Sequence, residues 1–239
     1  MKSEASRPDN ISLKVVKSIC VGNAGQLACD LLISSKQLKR IGTINHAALI
    51  PVYGPSAYVH EPEEKAAACE LYESAQDKLL VLQFRAPFIS KHIRDFHQKL
   101  AQLLKDSQSV IILSGSFGYE KRIIDGPSYE YKVSEQFKSL YVDQLNTANW
   151  REFLGETIFG GGNALQLYGV LENHNIPVMI LFRYLLDGDN SLDAALIVME
   201  LNKLCKEFLK LNEESEDVKL IVPSSWKLLF GNDFPELIF

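Results

Sequence analysis

Two glycine-punctuated stretches hold the residue types that covalent chemistry would need. The first, Ser114-Gly115-Ser116-Phe117-Gly118, follows directly on the apolar run Val110-Ile111-Ile112-Leu113. A serine just beyond a buried strand is where a nucleophile elbow places its hydroxyl, and that strained turn requires Gly-x-Ser-x-Gly so that backbone can close in around the serine. Here position 114 is Ser rather than Gly. The five histidines, His46, His60, His92, His97 and His174, include none after position 174, whereas the hydrolase order puts the base late in the chain. The segment reads as a polar loop at a strand end.

The second stretch, Gly22-Asn23-Ala24-Gly25-Gln26-Leu27-Ala28, joins a strand-like run over 13–21 to a helix. Such a turn offers helix N-terminal amides to a phosphate. It lacks the opening Gly-x-Gly of the dinucleotide fingerprint. The next strand candidate, over 41–50, ends without the acidic residue that would hold a ribose hydroxyl, and no Gly-Lys-Ser/Thr is present. A third glycine cluster, Gly160-Gly161-Gly162, lets backbone pass close to a neighbour, be it a ligand or another element. Cys20, Cys29, Cys69 and Cys205 form no CxxC pair and have no histidine at ligand spacing. They read as small apolar core residues of a reducing compartment. No carboxylate pair, metal-ligand spacing or complete triad stands out, so neither a metal nor a cofactor is expected.

The elements that would position these stretches alternate. Val15, Val16, Ile19 and Val21 predict a strand, and Ala24, Leu27, Ala28, Leu31 and Leu32 a helix face capped by Asn23 with Gln26. Residues 67–72 and 79–84 predict paired strands, and Phe96, Leu100, Leu103 and Leu104 a helix over 90–105. Val110 to Leu113 predicts a central strand buried on both faces. Tyr129-Glu130-Tyr131 predicts an edge strand, and Ala164, Leu165, Tyr168 and Leu171 one face of a helix. Residues 176–181 predict another buried strand. Asn190, with Asp193, caps a last helix striped by Ile197, Leu201, Leu204, Phe208 and Leu211. The first half of that helix, 192–199, is apolar nearly all round and predicts cover on both sides, by core or by a partner. This order predicts an α/β three-layer sandwich with a mostly parallel sheet plus antiparallel strands.

With 239 residues, 46% hydrophobic and 23% charged, the chain has material for one sizeable core, and no linker divides it. One domain is expected over 1–231. A net charge of -5 argues against a general nucleic-acid binder. No run resembles a signal peptide or a membrane span, which predicts a soluble intracellular protein.

The amphipathic block Val222-Pro223-Ser224-Ser225-Trp226-Lys227-Leu228-Leu229-Phe230-Gly231 precedes a tail over 232–239 that finishes on Leu237, Ile238 and Phe239. Burying each of those side chains gains roughly 1.5–3 kcal/mol. Two placements achieve it: folding back onto the chain's own domain, or docking in a pocket on another protein with the α-carboxylate as a charged anchor. Pro235 stiffens the free tail, and the residues alone do not choose between the two.

Four segments occur in a familiar order: 21–34, reading Val-Gly-Asn-Ala-Gly-Gln-Leu-Ala-Cys-Asp-Leu-Leu-Ile-Ser, then Gly160-Gly161-Gly162, Asp187-Gly188-Asp189-Asn190 and the block over 222–231. In that combination, over nearly the whole chain, the sequence resembles the proteasome assembly chaperone 2 family, the heterodimer partners of proteasome assembly chaperone 1. The resemblance implies a non-catalytic α/β chaperone of 20S proteasome assembly that works without a cofactor. It implies a heterodimer bound to the α-subunit ring, promoting its correct formation, in the cytoplasm and the nucleus. It further implies that the tail over 232–239 docks between α-subunits through Leu237, Ile238 and Phe239. Ile238 stands where related tails carry tyrosine, so the phenolic hydrogen bond is missing. The residues alone leave a small-molecule enzyme of nucleoside-phosphorylase-like or hydrolase type as the alternative. Its mark would be a closed pocket lined by the loops at Gly22, Ser116 and Gly160 and holding an acid or base. A self-associating protein with its tail buried in a homodimer is the third class.

Overall fold

The computed structural model describes residues 13–61, 65–211 and 219–228. The chain opens with β1 (Leu13–Lys17), buried at every position, α1 (Ala24–Lys36) and β2 (Lys39–Thr43). A two-residue pair, β3 (Tyr53–Gly54) with β4 (Ala66–Ala67), stands apart from the main sheet. The next elements are β5 (Cys69–Ser74), β6 (Leu79–Phe84), α2 (Ile93–Leu104) and β7 (Ser109–Phe117). After them come β8 (Tyr129–Val133), the short helices α3 (Glu135–Leu140) and α4 (Val142–Thr147), and β9 (Arg151–Glu152). The last group is α5 (Ala164–Asn173), β10 (Val178–Leu185), α6 (Ser191–Leu204) and the single turn α7 (Lys206–Leu209).

Among the described residues the main sheet has eight strands in the order β2-β5-β6-β1-β7-β10-β8-β9. Its centre, β6-β1-β7-β10, is parallel, and β5 and β8 flank it antiparallel. The expected α/β architecture is therefore present. Strand periodicity explains the layers, since successive side chains leave on opposite faces. Leu13, Val15, Ile111, Leu113, Met179 and Leu181 enter one core with α1 and α6, while Val16, Val110, Ile112, Val178, Ile180 and Phe182 enter the other with α2 and α5. Helix α2 shows why it lies on a surface: Ile93, Phe96, Leu100 and Leu104 recur every three or four residues and are buried, and Arg94, Asp95 and Lys99 between them are exposed. Helix α1 is instead buried nearly all round, because α6 covers the face turned away from the sheet.

Several expectations need correction. The strand predicted over 41–50 is only β2; it lies at the sheet edge, where β5 alone supplies hydrogen bonds and a bulge falls between Arg40 and Gly42. The polar loop predicted from Ser114 is strand: β7 continues to Phe117 because β10 runs beside it as far as Leu185, pairing Ser114 with Phe182 and Phe117 with Leu185. Tyr129 to Tyr131 is not an edge, since β9 pairs outside β8. The capping box at Asn23 does not form. Asn23 continues the Gly22 turn at φ 51° without a side-chain cap, and Gln26 Oε1 accepts from Lys17 Nζ at 3.0 Å. Asn190 likewise does not cap with its amide, which donates to the Gly188 carbonyl; Asp189 Oδ1 accepts from the Ser191 amide. The last stripe is split, with Ile197, Leu201 and Leu204 on α6 and Phe208 beyond the break at Cys205. Residues 1–10, the acidic run 213–217, and Leu229 and Phe230 lie outside the described residues.

A buried polar network ties α1 to the antiparallel flank. Asp30 Oδ1 accepts from Tyr58 Oη and Gln83 Nε2, each at 2.6 Å, and from Arg85 at 3.1 Å. Arg85 also holds Glu70 at 2.7 Å, and Arg40 reaches the other Glu70 oxygen. Shared partners are what make such buried charges tolerable. All four cysteines are free and buried, as their scatter predicts, and burial pushes the Cys29 thiol up to about 12.

Burial also pushes the His97 imidazole down to about 4. The ring lies against Phe88 and Phe96 and its Nδ1 has no hydrogen-bond partner. Above pH ~6.5 the imidazole is neutral in both folded and unfolded chains. As pH falls from there toward about 4, the unfolded chain takes up a proton that the folded chain refuses, so about 3 kcal/mol of stability is lost across that window. Chemical denaturation at a series of pH values should show wild type losing about 3 kcal/mol more than His97→Phe over this range; parallel curves would contradict the assignment.

Candidate interaction surface

The three glycine stretches singled out by sequence meet at the carboxyl ends of β1, β7 and β10. Gly22, Gly160 and Gly162 sit at φ 63°, 81° and 58°, the left-handed region that favours glycine. The Val21 amide donates to the Gly160 carbonyl at 2.7 Å, and the Phe117 amide to the Phe159 carbonyl at 3.1 Å. Ser18 Oγ and Ser114 Oγ both donate to the Gly161 carbonyl, at 2.8 and 3.1 Å, and Ser116 Oγ donates to Phe159 at 3.0 Å. A methyl group at Gly162 would stand 1.8 Å from the Ile19 carbonyl oxygen.

This arrangement limits the chemistry available. A nucleophilic serine gives its proton to a base, but these hydroxyls give theirs to backbone carbonyls. The Val21 and Phe117 amides, which could otherwise face an anion, are already used. Among the described residues, the loops at Gly22, Ser116 and Gly160 lie against one another through these hydrogen bonds. A cavity of about 10 Å³ remains beside Ser18, lined by residues including Phe84, Phe96, His97 and Asn163, which is room for one water at most.

The segments that follow the same junction carry exposed apolar side chains. Tyr119, Ile123, Ile124, Phe159, Leu186 and Leu192 are all exposed. The Phe117 and Tyr119 rings stack with centroids 5.0 Å apart. The glycine at 118 lets the chain run against Leu186, whose Cδ2 would lie 2.9 Å from an added Cβ. A Cβ on Gly22 would lie 2.4 Å from the Asn190 amide, which places the start of α6 at this junction. The all-round apolar character of 192–199 predicts cover on both sides; Ala194, Ile197 and Val198 are buried, whereas Leu192 and Met199 face outward. Leu192 is thus the one member of the patch that sequence flagged. Tyr119, Phe159 and Leu186 carry no periodic signal, because they sit in turns.

The expected docking residues Leu237, Ile238 and Phe239 lie outside the described residues. The root of their tail is described. The Ile221 amide donates to Ser35 Oγ at 2.8 Å, and the Ser225 amide and Ser224 Oγ both donate to the Ala57 carbonyl. Leu31, Leu192, Ala195, Leu220, Val222 and Trp226 then line an open groove of about 440 Å³. Residues 220–226 therefore lie beside the first turn of α6.

Residues 20–212 match the model of the PAC2 family. The chain belongs to the PAC2 family. This PAC2 chain is 30% identical to proteasome assembly chaperone 2 of Danio rerio over 247 aligned positions, covering 94% of each chain. It is 29% identical to the Homo sapiens protein of that name, again over 94% of each. Among solved structures it resembles Pyrococcus furiosus PbaA, described as an archaeal homolog of proteasome-assembly chaperone. That match has a TM-score of 0.65 at 15% identity and covers 82% of both chains. PbaB of the same organism, an archaeal proteasome activator, matches with TM-score 0.61 at 16% identity, over 84% of this chain and 87% of that one. At these identities the structural matches establish the fold alone.

Because Gly162 meets a backbone carbonyl, which cannot swing away as a side chain can, Gly162→Ala should unfold the PAC2 junction rather than adjust it. Thermal denaturation should show a loss above about 3 kcal/mol, from the left-handed φ and the overlap together. A Tm within a degree or two of wild type would refute the contact.

Proposed function

We propose that this chain is a non-catalytic chaperone of 20S proteasome assembly, acting as a heterodimer with proteasome assembly chaperone 1 on the α-subunit ring. One observation carries the reading: relatives named proteasome assembly chaperone 2 match over 94% of the chain and 94% of their own length, not one shared module. The closed glycine junction supports binding over turnover, since its hydroxyls and amides already have backbone partners.

In this reading residues 1–231 form one chaperone domain and 232–239 a docking tail. Leu237, Ile238 and Phe239 enter a pocket between adjacent α-subunits, with the terminal carboxylate as the charged anchor. A tail lacking the tyrosine hydroxyl docks weakly alone. Paired with the tail of chaperone 1, it gains from effective concentration, because the second engagement becomes intramolecular once the first tail is seated. The work takes place in the cytoplasm and the nucleus. Among the described residues no helix is long and apolar enough to cross a membrane, and the net charge of -5 leaves no general attraction to nucleic acid.

The test is co-purification of α-ring intermediates with the co-expressed heterodimer, comparing the full chain with one lacking 237–239. The expected result is intact pairing with chaperone 1 and at least a tenfold loss of ring binding, which is about 1.4 kcal/mol. Ring binding unchanged by truncation would remove the tail from the mechanism, and no ring binding by the full chain would overturn the assembly role itself.

A further inference from the structure

We infer that the open groove of about 440 Å³ beside the first turn of α6 is closed by Leu229 and Phe230 of this same chain, which makes Gly231 the end of the folded unit; the inference stands without the assembly role proposed above. Leu31 of α1 is the buried member of the groove, Leu192 and Ala195 line it from α6, and Leu220, Val222 and Trp226 line it from the segment that leads into the last turn. That last wall is held in place. The Ile221 amide donates to Ser35 Oγ at 2.8 Å, the Ser225 amide to the Ala57 carbonyl at 3.3 Å and the Trp226 amide to the Pro223 carbonyl at 3.1 Å. Leu192 and Val222 are nevertheless 71% and 60% exposed, so the described residues leave this apolar surface uncovered.

Three observations select the occupant. The first is where the described chain stops. Its last turn, the 3₁₀ helix Ser224–Leu228, contains the wall residue Trp226. Side chains three apart eclipse one another in such a turn, so one further residue in the same geometry brings Leu229 over Trp226. Seating Leu229 and Phe230 closes almost no loop, whereas seating 237–239 would close the whole of 229–236, and that entropic cost rises with loop length. The second is charge. Asp189 lines the groove and, among the described residues, no lysine, arginine or histidine does. A terminal carboxylate placed there would be a charge without a partner, while Leu229 and Phe230 carry none. The third is composition: the apolar run Leu228-Leu229-Phe230 is broken by Gly231 and the polar pair Asn232-Asp233. Both side chains gain by leaving water, and their tether beside the groove gives them an effective concentration that a second copy arriving from solution lacks.

The experiment is disulfide trapping in the full chain. Leu192→Cys supplies one thiol at an exposed position of the groove and is combined with either Phe230→Cys or Phe239→Cys, the four native cysteines being buried. Thermal denaturation of the reduced variants first checks that they keep the wild-type fold. Under mild oxidation the expected product is a cross-linked single chain that forms at least about tenfold faster with Phe230→Cys than with Phe239→Cys. Acrylamide quenching of Trp226, read in a Trp150→Phe background, is the second measurement. Leu229→Ser with Phe230→Ser should raise the quenching constant about twofold or more by opening the groove to solvent, and Leu237→Ser with Phe239→Ser should leave it unchanged. Cross-linking as fast through Phe239→Cys would give the groove to the terminus and overturn the inference. A cross-linked pair of chains would make the occupant a second copy, again overturning it. No cross-link, with quenching unchanged by the serine substitutions, would show that this segment does not cover the groove. None of these results bears on ring binding by 237–239, which the truncation described above decides separately.

Discussion

The backbone contact of Gly161 and Gly162 with the ends of β1 and β7 is the constraint on which the rest of the molecule depends. The carbonyl of Gly161 takes hydroxyl protons from both Ser18 and Ser114, and Gly162 leaves no room for a Cβ beneath Ile19. Carboxyl ends of parallel strands are where α/β proteins ordinarily open a ligand crevice. Here, among the described residues, the backbone of 159–162 packs against the ends of β1 and β7 at that position. That packing gives the Ser18, Ser114 and Ser116 hydroxyls and the Val21 and Phe117 amides backbone partners.

This explains which parts of the molecule were legible in the sequence. Runs such as 110–113 and stripes such as Phe96, Leu100 and Leu104 report burial through their period, and they located the central strands and helices correctly. The glycine at 22 marked a tight turn and those at 160–162 close approach, and the structure brings them to one junction. Local cap signals failed at Asn23 and Asn190, where a left-handed turn and a competing acceptor redirected the side chains. The extension of β7 through Ser116 was invisible because it depends on β10, about seventy positions away in sequence order. Tyr119, Phe159 and Leu186 were missed for a related reason, since turn residues gather into a surface only through long-range topology. The tail residues Leu237, Ile238 and Phe239 were found from composition and resemblance, and they stay a proposal about binding.

The network of Asp30, Arg85 and Glu70 and the two apolar layers hold the sheet and helices together, and none of those groups reaches the exposed rim. Lys17 shows the tension within the interior: burial holds its ammonium down to about 8, with Gln26 as its hydrogen-bond partner. The rim side chains contribute little to the isolated fold, because most of their surface is still in water. Substitution there is therefore expected to leave folding alone.

Binding without turnover is the claim on which the account stands, and the most direct measurement of it is reconstituted α-ring formation with the heterodimer carrying Ser114→Ala and Ser116→Ala. Each lost hydroxyl removes one hydrogen bond to a carbonyl, about 1 kcal/mol of stability, and removes any nucleophile the strand end holds. Below the unfolding transition the account predicts the wild-type yield of rings. A variant that folds and pairs normally yet fails to promote rings would show that these hydroxyls do chemistry, and the reading of the junction as a closed scaffold would be wrong.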